Sequence, residues 1–396
     1  MIPGGKIWNL TGPGSQSPPL LAAYKTARHP KPSDLKKIVF TVTNDLNYDQ
    51  RMIRICTSLA NAGYSVTLTG VQKATSPPLS REKYDQKRLN CFFKSGPGFY
   101  AEYNTRLFFY LLFRKADIIC CIDLDSMLPV WLVCKLRNKK AVYDAHEYFS
   151  QQKEILTRPR VYRVWKWIER TFVPKFKDGY TVSQGIAEEF KERYGVNYDV
   201  IRNVPVLRPL LPGMQEKPGT ILYQGAVNEA RGLEFLVPAM KLVDARLEIY
   251  GDGNFMEQTK KLIAENNLQD KVFLKGKLLP GELDSITRQA CIGINLVENT
   301  GLNQYHSLAN KFFDYIHNAL PQVTMNYPEY KKINEEFEVA ILVNDLDVGT
   351  IAGAINRLLN DEPLRRQLKQ NCLKARELIN WQNEEKKLTG FYNKLN

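Results

Sequence analysis

The strongest constraint on the fold is that short β-rich runs alternate with helical stretches in two successive series. The first series begins with KIVFTVT and the second with TILYQG. Predicted strands lie at 37–43, 65–70, 88–93, 117–122, 140–144, 179–183, 220–225, 246–251, 271–276, 291–296, 321–325 and 339–343. Apolar runs joined by helices favour a parallel sheet covered on both faces. The sequence therefore predicts an α/β fold with two Rossmann-like, doubly wound domains that face each other across a cleft.

The domain boundaries follow from composition. Residues 1–34 are rich in Pro, Gly and Ser and are predicted to be a disordered extension. Four prolines and two glycines at 203–219 indicate a linker between an N-terminal domain, 35–205, and a C-terminal domain, 206–379. A single final helix is predicted from about Pro363 to Asn396, and its end, about 380–396, is expected to pack back on the first domain.

Positive charge is concentrated in the first half. Residues 1–205 carry 32 Lys and Arg against 18 Asp and Glu, whereas residues 206–396 carry 23 against 24. This excess indicates an anionic partner, such as a membrane surface, a nucleic acid or a phosphorylated acceptor. The sequence contains no recognition-helix or RNA-binding signature, so a nucleic-acid partner is not expected.

Further features bound the class of protein. No apolar run reaches the roughly 18 residues of a membrane span, and the N-terminus lacks the apolar region of a secretory signal. Seven cysteines without a C-x-x-C pair argue against a disulfide framework or a zinc site. We therefore expect a cytoplasmic protein without a metal.

Candidate phosphate-binding residues follow two strands of the second series. In YQGAVNEARG, Gly225 leaves a strand and Arg231 opens the next helix, where a cation beside a helix N-terminus suits a phosphate. IYGDGN adds a weaker turn with Gly251 and Gly253. The alternative in each case is an ordinary loop between a strand and a helix.

The segment NKFFDYIHNALP places Lys311 and Asp314 three residues apart, and hence on one helix face. A carboxylate there can accept hydrogen bonds from both ribose hydroxyls, and a lysine can bind a diphosphate. A solvated ion pair between the two side chains is the alternative.

In YDAHEYFS, His146 and Glu147 directly follow a strand of the first series, at the predicted edge of the cleft. A histidine there can donate to a sugar hydroxyl or move a proton. A structural histidine is the alternative.

Two further strand ends carry polar side chains. Asn44 and Asp45 follow the first strand, and Asp123 and Asp125 follow the strand at 117–122. These residues are candidates to line the cleft or contact an acceptor. The alternative is helix capping, by Asp45 or Asp49 at the first position and by Asp123 or Asp125 at the second.

Together these segments resemble the GT-B glycosyltransferases of family 4 over about residues 35–396. The matching segments are TNDLNYDQRMIRI, DLDSMLP, YDAHEYFS, IRNVP, YQG-x5-RG-LEFLVPA, IYGDG, VFLKGKL, NKFFDYIHNALP and the last helix with Trp381. The resemblance implies a retaining, metal-independent transferase whose donor is a nucleotide diphosphate sugar, such as a UDP- or GDP-sugar.

The resemblance also implies roles for individual residues. Arg231 matches a basic residue on the diphosphate, Asp314 the ribose-binding second Glu of a Glu–seven residues–Glu motif, and His146 a histidine near the donor sugar. Ala226 stands where such enzymes often have Arg, and His306 stands at the first Glu. The predicted catalytic residues are His146, Arg231 and Lys311; the donor-binding residues are Gly225, Arg231, Gly251, Gly253, Lys277, Asn310, Lys311 and Asp314; the acceptor or cleft residues are Asn44, Asp45, Asp123, Glu147 and His306.

The expected activity is transfer of a sugar to a glycan or lipid-linked acceptor in the synthesis of cell-surface polysaccharide or glycolipid. Closure about the linker would bring the acceptor-binding N-terminal domain onto the donor-binding C-terminal domain. A sugar-nucleotide epimerase on the same fold and a non-catalytic binder of an anionic ligand are the alternatives.

A membrane-facing segment is predicted in the first half. Between Arg158 and Lys177, seven basic residues and five aromatic residues stand against the single acid Glu169. This pattern favours docking on an anionic membrane at its cytoplasmic face. The stretch at 100–115 is also aromatic and basic, but it is predicted to be a helix that covers the first sheet.

Overall fold

Two parallel sheets, each covered by helices, make up the computed structural model, which describes residues 35–47, 49–210, 215–278 and 280–395. The predicted extension at 1–34 lies outside the described residues. The two sheets belong to one compact unit, Lys36–Asn396. This architecture confirms the predicted α/β class with two doubly wound sheets.

The first sheet has seven parallel strands in the order β3-β2-β1-β4-β5-β6-β7. Its strands are β1 (Lys37–Thr41), β2 (Ser65–Gln72), β3 (Asp85–Asn90), β4 (Ile118–Ile122), β5 (Lys140–Ala145), β6 (Asp178–Thr181) and β7 (Asp199–Val200). Its helices are α1 (Gln50–Asn61), α2 (Gly96–Phe113), α3 (Met127–Arg137), α4 (Lys153–Leu156), α5 (Pro159–Phe172) and α6 (Gln184–Tyr194). The order reverses beside β1, so the switch point of this sheet lies between β1 and β4.

The second sheet has six parallel strands in the order β10-β9-β8-β11-β12-β13. Its strands are β8 (Thr220–Gln224), β9 (Arg246–Tyr250), β10 (Val272–Gly276), β11 (Ile292–Asn295), β12 (Gln322–Met325) and β13 (Ala340–Val343). Its helices are α7 (Leu233–Ala239), α8 (Met256–Glu265), α9 (Pro280–Gln289), α10 (Leu302–Tyr305), α11 (Asn310–His317), α12 (Pro328–Phe337), α13 (Val348–Asn360) and α14 (Glu362–Leu378). The loops after β8 and β11 lie at its switch point, where ligands of such sheets bind.

The final segment is two helices, which corrects the prediction of one helix from Pro363 to Asn396. Helix α14 ends at Leu378 and α15 (Trp381–Lys394) follows. Asn380 has an extended backbone and its side chain accepts a hydrogen bond from the Asn383 amide, so it caps a new helix. The indole of Trp381 donates to Ser58 Oγ on α1 at 2.9 Å, which places α15 against the first sheet.

Strand β3 also differs from its predicted position at 88–93. It begins at Asp85 and ends at Asn90. The carboxylate of Glu102 on α2 accepts hydrogen bonds from the backbone amides of Phe92 and Phe93 at 2.8 and 3.0 Å. Those amides are therefore unavailable to the sheet, and the chain turns away after Asn90.

Helix α5 buries part of the segment predicted to face a membrane. Lys166 is 8% exposed, and its Nζ donates to Glu169 Oε1 at 2.6 Å and to Tyr194 at 2.8 Å. Trp165 and Phe172 of the same helix pack in the core of the first sheet. These three residues are therefore not available to a membrane surface. The pattern of residue types does not distinguish the two faces of one helix.

Helix α2 buries Tyr103, Leu107 and Leu111 in the core of the first sheet, as its predicted covering role requires. No helix in the described ranges is long and apolar enough to cross a membrane. All seven cysteines are free and buried.

Candidate active site

Three polar side chains form a chain of contacts at the carboxyl edge of the first sheet. Arg51 of α1 donates through Nη2 to Asp144 Oδ1 at 3.0 Å and through Nη1 to the Ile201 carbonyl at 3.0 Å. Asp144 Oδ2 lies 3.2 Å from His146 Nε2. The strand β5 ends at Ala145, so His146 follows its last residue. The carboxylate thereby orients the imidazole at the end of the strand.

Charge sets the protonation of this chain of contacts. Burial alone would raise the pKa of Asp144, but the positive charges of Arg51 and His146 outweigh it and hold the pKa below its usual range. Burial alone would lower the pKa of His146, but the charge and hydrogen bond of Asp144 raise it. The pair therefore favours an imidazolium beside a carboxylate.

Two carboxyls, those of the half-buried Asp123 and the buried Asp125, lie near this histidine. Asp123 has φ 53° and its Oδ1 accepts a hydrogen bond from the His146 amide at 3.0 Å. Asp125 Oδ2 accepts from Thr43 Oγ1 at 2.5 Å. Helix α3 begins after Ser126 without a side-chain cap, so the capping alternative for these two acids is wrong. Burial raises the pKa of both, that of Asp125 to about 6.

The polar residues after β1 hold the loops together. Asp49 caps α1 by accepting from the Met52 amide at 3.0 Å, and Asn44 donates to Asp49 at 3.2 Å. Asp45 accepts from Arg88 at 2.7 Å and from Ser76. Its carboxylate is therefore occupied by bonds within the N-terminal half.

Two predicted donor-binding glycines are required by packing. A Cβ on Gly251, whose φ is +154°, would lie 1.8 Å from the Gly225 carbonyl oxygen. A Cβ on Gly253 would lie 2.2 Å from Asn228 Oδ1. The loops after β8 and β9 thus approach too closely for any side chain, which accounts for both glycines without a ligand.

The loop after β8 faces a buried lysine. Gly225 has φ +116°, and a Cβ there would lie 3.6 Å from Lys311 Cε. The Nζ of Lys311 lies 3.6 Å from the ring centroid of Tyr223 and has no hydrogen-bond partner among the described residues. Burial, followed by the charge of Arg231, lowers the pKa of Lys311 well below its usual value. The positive charge of Arg231 is therefore close enough to disfavour the ammonium form of Lys311 at this loop.

Asp314 lies one turn further along α11 and forms no ion pair with Lys311 in the described structure, so the ion-pair alternative is wrong. Its Oδ2 accepts from Gln224 Nε2 at 3.1 Å. Burial and the nearby Asp284 raise the pKa of Asp314 to about 7. The carboxyl lines a cavity of about 640 Å³ that also contacts Arg54 of α1.

Two other predicted donor residues have protein partners. Lys277 forms an exposed ion pair with Asp252 at 3.2 Å. Asn310 accepts from Asn203 Nδ2 at 2.8 Å, a contact between the linker and α11. Neither contact involves Lys311 or Arg231.

Several contacts join the two halves across the cleft. Asn303 accepts from the Tyr148 amide at 2.8 Å and donates to Glu147 Oε2 at 3.3 Å. His306 packs on Gly185 at the start of α6, where a Cβ would lie 2.1 Å from its Nδ1. These two residues link the halves, and His306 has no bond to His146 or Asp314. Within the described ranges, His, Cys, Asp and Glu side chains form no group of three that could hold a metal ion.

Comparison with known proteins identifies the family. Residues 50–205 match the model described as Glycosyltransferase Family 4, and residues 212–375 match the model described as Glycosyl transferases group 1. The chain is a GT-B glycosyltransferase of the family 4 type. Its predicted family and fold are thereby confirmed.

Individual relatives are distant. This glycosyltransferase is 25% identical over 204 residues to "Alpha-D-kanosaminyltransferase" of Streptomyces kanamyceticus. The matched segment covers 50% of this chain and 46% of that relative. The chain thus spans less than half the length of the curated relatives that it matches.

Two solved structures share its fold. Sucrose-phosphate synthase of Thermosynechococcus elongatus has a TM-score of 0.76 at 16% identity, covering 91% of this chain and 99% of that one. Anabaena HepE, solved with UDP and glucose, has a TM-score of 0.72 at 12% identity, covering 90% and 99%.

Sequence reasoning did not identify three residues that shape the site of this glycosyltransferase. Arg51 binds Asp144, which contacts His146, and Asn303 binds Glu147. Arg54 lines the cavity at Asp314. A charged residue on the apolar face of α1 was the one available signal for Arg51. Its partner is 93 residues away, which no local pattern specifies.

Proposed function

We propose that this chain transfers a sugar, with retention of configuration, from a nucleotide diphosphate sugar to the hydroxyl of a glycan or lipid-linked acceptor. The donor is a UDP- or GDP-sugar bound by the C-terminal half, and the acceptor is bound by the N-terminal half. The observation that carries the proposal is the buried amino group of Lys311, which has no hydrogen-bond partner among the described residues and interacts electrostatically with Arg231.

A buried ammonium without a hydrogen bond is costly, and a second cation nearby adds repulsion. A diphosphate would remove both costs, since it supplies several acceptor oxygens and two negative charges. The UDP and glucose of HepE, a protein of the same fold, support a nucleotide-sugar donor. We assign Lys311 and Arg231 to the diphosphate and Asp314 to the ribose hydroxyls.

In the proposed reaction, the acceptor oxygen attacks the anomeric carbon from the face that the diphosphate leaves. The bond from the anomeric carbon to the diphosphate oxygen breaks, and the acceptor proton passes to that leaving oxygen. Lys311 and Arg231 stabilise the negative charge that develops there. His146, held by Asp144 in the N-terminal half, orients the sugar hydroxyls.

The donor assignment is tested by titrating UDP and GDP into Lys311→Met and Arg231→Ala variants. Losing a charge-assisted hydrogen bond is expected to weaken nucleotide binding by ~1.5–3 kcal/mol in each. Lys332→Met, an exposed lysine on α12, is the matched control and should bind as the wild type does. Unchanged nucleotide affinity in both site variants would contradict the assignment.

We also propose that α5 docks on an anionic membrane at its cytoplasmic face, so that the enzyme is peripheral. The exposed side chains on successive turns of α5 include Arg160, Arg163, Val164, Trp167 and Arg170. Val164 is 56% exposed and Trp167 59% exposed. Basic residues flanking exposed apolar side chains suit the boundary between lipid headgroups and acyl chains.

Co-sedimentation with anionic and neutral vesicles tests this docking. Reversing Arg160, Arg163 and Arg170 to Glu removes three contributions of ~1 kcal/mol each, so binding to anionic vesicles should fall at least ~100-fold. The control reverses Lys241, Lys332 and Lys374, three exposed lysines of the C-terminal half. Equal loss in both triple variants, or no binding by the wild type, would contradict the proposal.

A further inference from the structure

A cavity of about 900 Å³ opens on the helical face of the first sheet, between the N-terminal ends of α2, α3 and α5. Its volume lies within the range of ligand-binding pockets. Much of its wall is apolar, including Ala101 on α2, Leu128 on α3 and Val161 on α5. We call this cavity the α2–α5 groove.

The α2–α5 groove reaches the candidate active site. Asp123, Asp125 and Glu147, which surround His146, contribute to its wall. These residues follow β4 and β5 at the carboxyl edge of the sheet. A molecule in the groove can therefore place a hydroxyl beside these carboxyls.

The groove also reaches the exposed side chains of α5 that include Arg160 and Val164. Because α5 leads into β6, its first residues lie at the cleft edge and its later residues lie further away. Arg158 and Arg160 line the groove first along the helix, and Val161 and Val164 follow. Neither arginine forms an ion pair with a described residue, although Glu154 also lines the groove.

The order along the groove is therefore carboxyls, then free arginines, then exposed apolar side chains. We infer that the α2–α5 groove holds an amphiphilic acceptor, with its hydroxyl at Asp125, an anionic phosphate at Arg158 and Arg160, and one hydrocarbon chain along Val161 and Val164. This inference rests on the proposed glycosyltransferase function and specifies its acceptor class. The occupant would enter from the membrane on which α5 docks.

Binding of alkyl phosphates to the full chain tests the inference. Dodecyl phosphate, octyl phosphate and inorganic phosphate are titrated separately below the concentrations at which the alkyl phosphates form micelles. Each methylene by which the alkyl chain is shortened should weaken binding about fourfold, which corresponds to ~0.8 kcal/mol. The expected order of affinity is therefore dodecyl, octyl and then inorganic phosphate.

Two variants on one helix locate the binding. Ala101 is exposed and lines the groove, so Ala101→Trp should fill it and weaken dodecyl phosphate binding at least tenfold without disturbing the core. Thr105, exposed one turn later on α2 and outside the groove, provides the control Thr105→Trp, which should bind as the wild type does. Circular dichroism establishes that both variants are folded.

Several results would overturn the inference. They are equal affinity for dodecyl and inorganic phosphate, unchanged binding in Ala101→Trp, or equal loss in Thr105→Trp. UDP and GDP titrations run in parallel separate this failure from failure of the proposed function. Nucleotide binding without dodecyl phosphate binding would refute the groove alone, whereas the reverse would refute the nucleotide-sugar donor.

Discussion

The buried pair of Arg51 and Asp144 offers a quantitative test of the N-terminal half. Arg51 is 4% exposed and Asp144 0% exposed, and their atoms lie 3.0 Å apart. Replacing Asp144 with Asn keeps the size of the side chain but leaves the guanidinium without its buried counter-charge. Removing one partner of such a pair costs about 3–5 kcal/mol, so Asp144→Asn should lower the free energy of unfolding by ~3 kcal/mol or more.

A double-mutant cycle separates this pair from its surroundings. Arg51→Met alone should also cost ~3 kcal/mol or more, because it removes the main counter-charge of a buried carboxylate and leaves it only His146. The double variant Arg51→Met, Asp144→Leu removes the guanidinium and the carboxylate together, and His146 can then become neutral. It loses the hydrogen bonds to Ile201 and His146, at about 1 kcal/mol each, so its cost should be ~2 kcal/mol rather than the sum of the single variants.

Urea unfolding followed by fluorescence measures each variant. Asp85→Asn is the matched control, because Asp85 is 72% exposed in its 3.2 Å ion pair with Arg114. An exposed pair contributes little, and the control should change stability by less than ~1 kcal/mol. Single variants that match the control, or a double variant that shows the full sum, would refute the reasoning.

The same experiment has a predicted dependence on pH. The pKa of folded His146 is raised above 6.5, mainly because the charge of Asp144 overcomes the effect of burial. The stability that the His146–Asp144 pair contributes is therefore complete below pH 6.5 and is lost as the pH rises through the pKa of folded His146. The difference between wild type and Asp144→Asn should accordingly be larger in mildly acidic than in mildly alkaline buffer.

Three further predictions concern the cleft. Since the pKa of Asp314 is about 7 and its ionised form accepts ribose hydroxyls, nucleotide affinity should strengthen as the pH rises through 7, and titrations of Asp314→Asn should show no such step. Gly251→Ala places a Cβ 1.8 Å from the Gly225 oxygen and should cost ~3 kcal/mol in urea unfolding, whereas Gly390→Ala in α15, with open space around it, should not destabilise the protein. Asn303→Ala breaks two contacts across the cleft and should lower kcat for transfer while UDP or GDP affinity stays unchanged, and the opposite pattern would place Asn303 on the nucleotide.

The alternation of apolar runs was sufficient to predict both parallel sheets. Apolar strands and their covering helices are encoded within windows of a few residues, because burial on both faces requires near-continuous apolar runs. The same local signal misplaced β3, since the amides of Phe92 and Phe93 bind Glu102, which lies about ten residues further along the chain. It also missed the break at Asn380, where a side-chain cap starts a second helix.

The sequence by itself determined the fold class and the loops in which polar residues gather, because strand ends and glycine turns are local features. Only the tertiary structure decided what those residues do. It paired Asp144 with Arg51, bound Asp45 to Arg88, buried Lys166 with Glu169, and left Lys311 buried without a hydrogen-bond partner. Partner choice depends on which distant segments the sheets bring together, and the cost of burying a charge depends on that choice.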